Sequence, residues 1–364
     1  MSTNGLDRGS SGTVAAAYYN SGGSPWASGG GASERLLIGR GSGARRMPGH
    51  SANAWRPGDR ENALLLQPGL EQQLFESPAG SGSLREIEET SGYGTVKNKT
   101  FELLEEISQK KVMHQESLRS VCADLSKRLE VTLPSTILSL INALAPVDEY
   151  LQRHCVNVGL LNGLIGTWLG MGKQEIDDLV LIGLLHDFGK MMIPSRVLMA
   201  PRKLTNIEFE VIKMHPVNSY DLLSEFPESL RRAARSHHEK VSGAGYPDGL
   251  LNEDIPLGGR ITAISDIYDS MVSRRAYKGP ISPFSILATL TRMKHTDLDA
   301  GLVEVFIAHM PLELYDKPVL MSDGTIGLVR SFDPDDPERP MIEVNGRVIQ
   351  SSDELHCVSM YTGS

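Results

Sequence analysis

The chain has 364 residues, 36 of them glycine, and a formal net charge of −9 at pH 7. This acidic balance argues against a nucleic-acid polymer or an anionic membrane as the main partner. The three cysteines are far apart and lack CxxC spacing, which indicates reduced thiols in a cytosol, and no apolar run is long enough for a membrane span. We therefore expect a soluble, cytoplasmic protein without a membrane span.

Residues 1–94 predict a disordered or degenerate N-terminal region. Glycine and serine dominate this segment, as in YYNSGGSPWASGGGASE. Such a composition buries too little apolar surface to offset the entropy lost on ordering. A degenerate regulatory domain is the alternative interpretation of this segment.

Residues 95–147 predict N-terminal helices or a helical linker. The stretch TFELLEEISQKKVMHQESLRSVCADLSKRLE repeats apolar residues at intervals of three and four, with mixed charge on the other face. We expect one long helix from Thr95 to Glu130. Its apolar stripe would either pack on the rest of the protein or pair with a second copy of the chain.

Residues 148–311 predict an all-helical bundle, and residues 312–364 predict a small β-rich domain. Helices are expected at about 135–144, 148–170, 174–190, 205–224, 227–239, 258–274, 282–294 and 299–310. In the segment KPVLMSDGTIGLVRSFDPDDPERPMIEVNGRVIQ, short β-rich runs are separated by Asp-Gly, Asp-Pro and Asn-Gly turn signals. That pattern predicts three or four strands, so the fold class is mainly α with a C-terminal β appendage.

Histidines and aspartates recur near helix ends in the predicted bundle. They are His154, His186, Asp187, His215, His237, His238 and Asp266. The stretch LVLIGLLHDFGK carries Asp187 into an apolar helix, where an uncompensated carboxylate would be costly to bury. Imidazole and carboxylate together suit iron, manganese or zinc. Since the set exceeds the needs of one ion, we expect two, with Asp187 as a bridging ligand.

Cationic side chains accompany this series. Lys190 lies four residues after His186 and would share its helix face, where it would contact a phosphate oxygen; a solvated lysine at a helix end is the alternative. Arg275 and Lys278, in SRRAYKGP, predict a second anion clamp. An isolated histidine such as His309 is expected to be structural.

The motifs HDFGK, KMHPVNSYDLL, SHHEKVSGAGYPDGL and ISDIYDSMVSRRAYK occur in this order and closely resemble the HD-GYP family, a branch of the HD metal phosphohydrolases. The resemblance extends from Asp148 to Pro311. It implies a helical bundle that hydrolyses the bacterial second messenger cyclic di-GMP to pGpG, with slower cleavage to GMP.

The resemblance also implies roles for particular residues. The seven histidines and aspartates named above correspond to metal ligands. Those corresponding to substrate contacts are Lys190, Arg275 and Lys278, together with the lip formed by Gly245, Tyr246 and Pro247. Glu239 and Asp269 are expected to orient ligands from behind. Asp187 and Lys190 are the expected catalytic residues.

Two divalent transition-metal ions would activate water for in-line attack on phosphorus, without a covalent enzyme intermediate. Iron or manganese is expected first, with zinc, nickel or cobalt as alternatives.

Two positions depart from the family pattern. Ser242 replaces the aspartate of HHExxDGxGYP, which removes a charge from the loop. Tyr150 stands where some members have a glutamate that holds a third metal, which favours two ions.

Two other functions stay open: an HD phosphohydrolase acting on another cyclic or linear nucleotide, and a catalytically silent messenger sensor or adaptor. A homodimer, or a signalling partner bound through the N-terminal helices or the C-terminal β domain, is also expected.

Overall fold

The computed structural model describes residues 92–110, 115–142, 150–198, 200, 202–273, 281–333 and 335–361. The predicted N-terminal region at 1–94 therefore lies almost entirely outside the described residues. The described helices account for most of the chain between residues 93 and 309, so the expected mainly α fold is confirmed.

The α-helices are α1 (Tyr93–Lys110), α2 (Gln115–Val131), α3 (Pro134–Ile141), α4 (Tyr150–Trp168), α5 (Lys173–Leu185), α6 (Ser195–Leu198), α7 (Asn206–Ile212), α8 (His215–Leu222), α9 (Glu228–Arg235), α10 (Leu257–Ser273), α11 (Pro283–Arg292) and α12 (Ala300–His309). Short 3-10 helices lie at Phe188–Met192, Asn252–Asp254 and Leu312–Leu314.

The single long helix expected from Thr95 to Glu130 is wrong. The Lys99 ammonium nitrogen lies 2.5 Å from Asp124 Oδ2, although the two residues are 25 positions apart. On one continuous helix that separation would be roughly 37 Å. Helices α1 and α2 therefore lie side by side. The sequence gives no sign of the break, because the apolar spacing runs through it without glycine or proline.

The apolar stripe of these N-terminal helices is buried within the chain itself. Leu118, Val121 and Leu125 of α2 are all buried, and α2 contacts both α4 and α5. Packing on the bundle thus accounts for the apolar stripe, which was the first of the two alternatives predicted from the sequence.

Helices α4, α5 and α10 form the centre of the bundle. Helices α4 and α5 approach closely where two glycines meet, since a Cβ on Gly183 would lie 2.7 Å from the Gly159 Cα. Such close contact is open only to residues without a side chain. It brings the C-terminal end of α5 against α4, which places the HD pair beside His154.

Two expected helices are interrupted at the site. The helix expected at 174–190 ends at Leu185 and continues as a 3-10 turn. The helix expected at 205–224 divides into α7 and α8, and α8 begins at His215 with proline in its first turn. Proline is well suited to a helix start because it needs no N–H partner there. Each interruption leaves a histidine at a helix end.

The C-terminal region forms one antiparallel sheet. Its strands are β1 (Pro318–Met321), β2 (Ile326–Ser331), β3 (Met341–Val344), β4 (Arg347–Gln350) and β5 (Cys357–Met360), in the order β4-β3-β2-β1-β5. The sheet thus has five strands rather than three or four. The strand that the sequence did not predict is β5, which pairs with β1. A polar segment separates β5 from the four β-rich runs that the turn signals mark.

The sheet packs on the bundle through a small apolar cluster. Phe284 of α11 belongs to the same buried cluster as the sheet residues Val319, Val329 and Ile342. The domain division expected at residue 312 stays a prediction. Within the part of the chain that the structure describes, every helix is too short or too polar to cross a membrane.

Candidate metal centre

The structure brings the seven expected ligand side chains together from five places in the fold. They come from α4 (His154), the end of α5 (His186 and Asp187), the start of α8 (His215), the segment after α9 (His237 and His238) and α10 (Asp266). All except His238 are at most 9% exposed. A cluster of polar groups so deep in a bundle needs compensation by partners or ions.

The ligand atoms fall into two trios. The first trio is His154, His186 and Asp266, and the second trio is His215, His237 and His238; within each, the ligand atoms lie within 4.8 Å of one another. Asp187 lies between them. Its Oδ2 is 3.4 Å from His154 Nε2, and its Oδ1 is 3.3 Å from His215 Nε2. One carboxylate therefore faces both trios.

Backbone carbonyls orient three of the histidine rings. His186, His215 and His237 each place Nδ1 at 2.6 or 2.7 Å from the carbonyl oxygen three residues earlier. A carbonyl oxygen only accepts hydrogen bonds, so we assign the ring proton to Nδ1. The Nε2 atom of each neutral ring then carries a lone pair directed into the site, as in metal-ligating histidines.

The second trio brings two such lone pairs face to face. His215 Nε2 lies 3.2 Å from His237 Nε2. Burial lowers the pKa of His215 to about 3 and that of His237 to about 4, so neither ring supplies a bridging proton at neutral pH. Two buried acceptors at this distance repel each other unless a cation lies between them.

The first trio contains one carboxylate, that of Asp266, and the carboxylates of Asp187 and Asp269 also lie against His154. His154 Nδ1 lies 2.7 Å from Asp269 Oδ2, while its Nε2 is 3.2 Å from Asp266 Oδ1. Burial lowers the pKa of His154, but hydrogen bonds with Asp187, Asp266 and Asp269 outweigh burial and raise it well above its usual range. This position therefore attracts positive charge, either a proton or a metal ion.

Two buried ligand atoms have no hydrogen-bond partner among the described residues: His186 Nε2 and Asp187 Oδ1. An unsatisfied buried acceptor typically costs about 1–3 kcal/mol. Coordination of a cation satisfies both atoms. The side chains present therefore fit transition-metal ions, which imidazole nitrogen and carboxylate oxygen both bind well.

Lys190 contacts the shared carboxylate. Its ammonium group donates to Asp187 Oδ2, and its side chain is 13% exposed. Burial raises the pKa of Asp187, but the positive charge of Lys190 beside it holds that pKa well below its usual range. Lys190 is thus part of the site, in a 3-10 turn rather than on the expected helix face.

Glu239 is hydrogen-bonded to the loop that follows it, and its expected role in orienting a metal ligand stays a prediction. Its carboxylate accepts hydrogen bonds from the backbone N–H groups of Asp248, Gly249 and Leu250, at 2.6, 3.1 and 3.0 Å. Burial raises the pKa of Glu239. By contrast, Asp269 contacts His154 directly, at the position expected for a ligand-orienting residue.

The expected substrate-side lip borders the second trio. The ring of Tyr246 stacks on that of His238, with centroids 4.8 Å apart and planes at 26°. A Cβ on Gly245 would lie 2.3 Å from the Lys240 backbone nitrogen, so only glycine fits this turn. Pro247 and its two predecessors are partly exposed, which leaves the lip open to a ligand.

The loop is ordered although Ser242 replaces the usual aspartate. Ser242 is exposed, its N–H donates to the Thr296 carbonyl at 3.2 Å, and it pairs with Leu251. Arg235 also binds Asp248 through two hydrogen bonds of 2.7 Å. The carboxylate missing at 242 therefore does not leave this loop without anchors.

Sequence reasoning missed several supporting polar residues. The Ser219 hydroxyl donates to the His186 carbonyl at 2.8 Å and accepts from the Gly189 N–H at 2.7 Å. Asn157 donates to Asp269. Helical spacing is the available signal, because Ser219 follows His215 by four residues and shares its face.

Two of the expected substrate contacts lie outside the residues that the structure describes. Arg275 and Lys278 lie outside the described residues, so the second anion clamp stays a prediction. His309 is structural as expected, since its Nδ1 donates to the Val305 carbonyl and its ring stacks on Trp168.

Comparisons with known proteins find an HD domain in the part of the chain that carries this site. Residues 139–302 match the family model of the HD domain. A cyclic di-GMP phosphodiesterase from Thermotoga maritima is 38% identical over 149 residues, which are 40% of this chain and 40% of that protein. Another from Pseudomonas aeruginosa is 37% identical over 201 residues, 54% of this chain and 48% of that protein.

A relative named for a different substrate also matches. A 3'3'-cGAMP-specific phosphodiesterase from Vibrio cholerae is 31% identical over 185 residues, which are 50% of this chain and 35% of that protein. The chain thus spans about half or less of the length of these relatives.

One solved structure shares the fold. It is an HDG"Y"P protein from Bdellovibrio bacteriovorus, with a TM-score of 0.51 and 16% identity over 66% of this chain and 76% of that one.

Proposed function

The chain carries an HD domain of the HD-GYP family, and from this premise we propose that it is a metal-dependent phosphodiesterase that hydrolyses cyclic di-GMP to pGpG, with slower cleavage to GMP. The observation that carries the proposal is the position of Asp187, whose two carboxylate oxygens face two separate trios of ligand atoms. The names of the relatives from Thermotoga and Pseudomonas support the substrate.

We assign two divalent transition-metal ions to the site, one held by each trio and both by Asp187. Iron or manganese is proposed first, because the ligand set mixes imidazole and carboxylate, with zinc, nickel or cobalt as alternatives. Such ions, when bound, lower the pKa of a coordinated water and neutralise phosphate charge.

The protein's own residues would orient the substrate. Lys190 sits beside Asp187 with a small exposed fraction, so its ammonium group can meet a phosphate oxygen and stabilise charge that develops there. Tyr246 is partly exposed at the lip, where its ring stacks on that of His238. Arg275 and Lys278 are proposed as further phosphate or guanine contacts on the family resemblance alone.

A second candidate substrate is 3'3'-cGAMP, which is favoured by the name of the Vibrio cholerae relative. A silent sensor is less well supported, because the site keeps every expected ligand and directs the Nε2 lone pairs of His186, His215 and His237 inward. A cytoplasmic location belongs to the proposal, since Cys122, Cys155 and Cys357 are free thiols, as in reducing compartments.

The experiment is hydrolysis of a nucleotide panel by protein reloaded with Mn²⁺ or, without oxygen, Fe²⁺. We expect cyclic di-GMP to be cleaved fastest, and the double variant His186→Ala, Asp187→Ala to lose both metal and turnover. His309→Ala is the matched control, because it removes a histidine outside the site. Retained hydrolysis in the double variant, or no hydrolysis of any cyclic dinucleotide by the loaded protein, would refute the proposal.

A further inference from the structure

We propose that Tyr93 is a positioning residue of the metal centre, acting on His154 through two buried side chains. This inference rests on the proposed metal-binding function. Tyr93 lies on α1, outside the residues 139–302 that match the HD domain. It would therefore connect the N-terminal helices to the first trio.

The connection is a continuous series of short hydrogen bonds. The Tyr93 hydroxyl donates to Asn157 Oδ1 at 2.6 Å, and Asn157 Nδ2 donates to Asp269 Oδ1 at 2.6 Å. The other oxygen of Asp269 lies 2.7 Å from His154 Nδ1. Tyr93, Asn157 and Asp269 are at most 3% exposed, so water does not compete freely for these bonds.

The carboxylate of Asp269 sets the direction of every bond in the series. A carboxylate accepts at both oxygens, so His154 must present a protonated Nδ1 and Asn157 must present its NH₂ group. The amide oxygen of Asn157 then faces Tyr93 and requires a donor, which the phenol supplies. His154 Nε2 is left as the atom that faces Asp187 and Asp266.

The Tyr93 ring has packing contacts independent of its hydroxyl. The Arg153 guanidinium carbon lies 5.5 Å from the ring centroid, and Arg153 donates to the Leu140 carbonyl at 2.9 Å. Tyr93→Phe therefore removes the donor and keeps the ring in place. The change leaves the Asn157 amide oxygen buried without this bond and weakens the orientation of Asp269.

Loss of an outer partner of a metal ligand typically weakens metal binding by about 10–100-fold. Tyr93 acts two side chains further out than such a partner, so we expect a smaller effect, about 3–10-fold. The weakening should concern one of the two ions, since His154 belongs to the first trio only.

The test is calorimetric titration of the metal-free, full-length protein with Mn²⁺, without nucleotide. Tyr268→Phe is the matched control, because Tyr268 is fully buried and its hydroxyl also donates to an asparagine oxygen, that of Asn142, at 3.0 Å. We expect both variants to lower the melting temperature of the metal-free protein, and only Tyr93→Phe to raise the Kd of one ion. Equal Mn²⁺ affinity in wild type and Tyr93→Phe would overturn the inference, as would equal weakening in both variants.

A double-mutant cycle tests the route. If Tyr93 acts through Asn157, Tyr93→Phe should have no further effect on Mn²⁺ affinity in an Asn157→Ala background. Additive losses would overturn the route.

The Mn²⁺ titration and the cleavage assay together separate this inference from the proposed function. A wild type that binds Mn²⁺ but cleaves no cyclic dinucleotide, with weaker binding in Tyr93→Phe, refutes the function and supports the inference. An active wild type with equal affinities refutes the inference alone.

Discussion

The two trios of the metal centre are built differently. The first trio combines imidazole with carboxylate, lies on the long helices α4 and α10 and the end of α5, and has Asp269 behind His154. The second trio contains only imidazoles, at the ends of short helices, and backbone carbonyls orient two of its rings.

Because of this difference, the two trios give different evidence for a bound metal ion. The first trio can be satisfied by a proton, because Asp187, Asp266 and Asp269 raise the pKa of His154. In the second trio burial keeps the rings neutral, so its facing lone pairs need a cation. The second trio is therefore the stronger indication of a metal, and the first trio is the part that neighbouring side chains can tune.

The largest effect is expected where the trios meet. Asp187→Ala should remove the ligand common to both ions, lower the bound Mn²⁺ toward zero and reduce turnover by at least about 10²–10³-fold. Metal analysis of the dialysed protein and a steady-state assay would measure this. Two tightly bound ions in the variant would show that Asp187 does not join the trios.

Changes confined to one trio should separate the two ions. Asp266→Asn in the first trio and His238→Ala in the second should each leave one bound Mn²⁺ per chain, with turnover reduced by about 10–100-fold or more. Titration calorimetry of each variant gives the stoichiometry. If either single change abolished binding of both ions, the trios would act as one site and the comparison would fail.

A smaller effect is expected at the lip beside the second trio. Glu239→Gln weakens three backbone hydrogen bonds that hold the loop, so KM for cyclic di-GMP should rise about 10-fold while metal content stays unchanged. Glu228→Gln, at an exposed carboxylate, is the control. Loss of metal in Glu239→Gln would contradict this expectation and support the ligand-orienting role predicted from the sequence.

The smallest effect is expected at Ser242. Ser242→Asp restores the family residue at an exposed position of a loop that already has other anchors, so kcat and KM should change by less than about 2-fold. An increase in turnover above 10-fold would mean that the missing carboxylate limits this protein.

Much of the site could be predicted from the sequence because its ligands lie in local motifs at helix ends. The HD pair, the histidine before Pro216 and the pair before the glycine loop are each recognisable from neighbouring residues. The supporting contacts are not local. Tyr93 and Asn157 are 64 positions apart, and Asn157 and Asp269 are 112 positions apart, so no periodicity relates them.

The misjudged elements have similar causes. The break between α1 and α2 has no glycine or proline to mark it. Strand β5 is short and is defined by its pairing with β1. Each depends on contacts between distant residues, which a single sequence does not display.

Anomalous scattering from crystals of the Mn²⁺-loaded protein tests the central claim most directly. The account predicts two strong peaks on either side of the Asp187 carboxylate, one bound by the Nε2 atoms of His154 and His186 and the other by those of His215 and His237. A loaded crystal with no peak among these side chains, or with the rings turned so that Nδ1 faces the site, would contradict it.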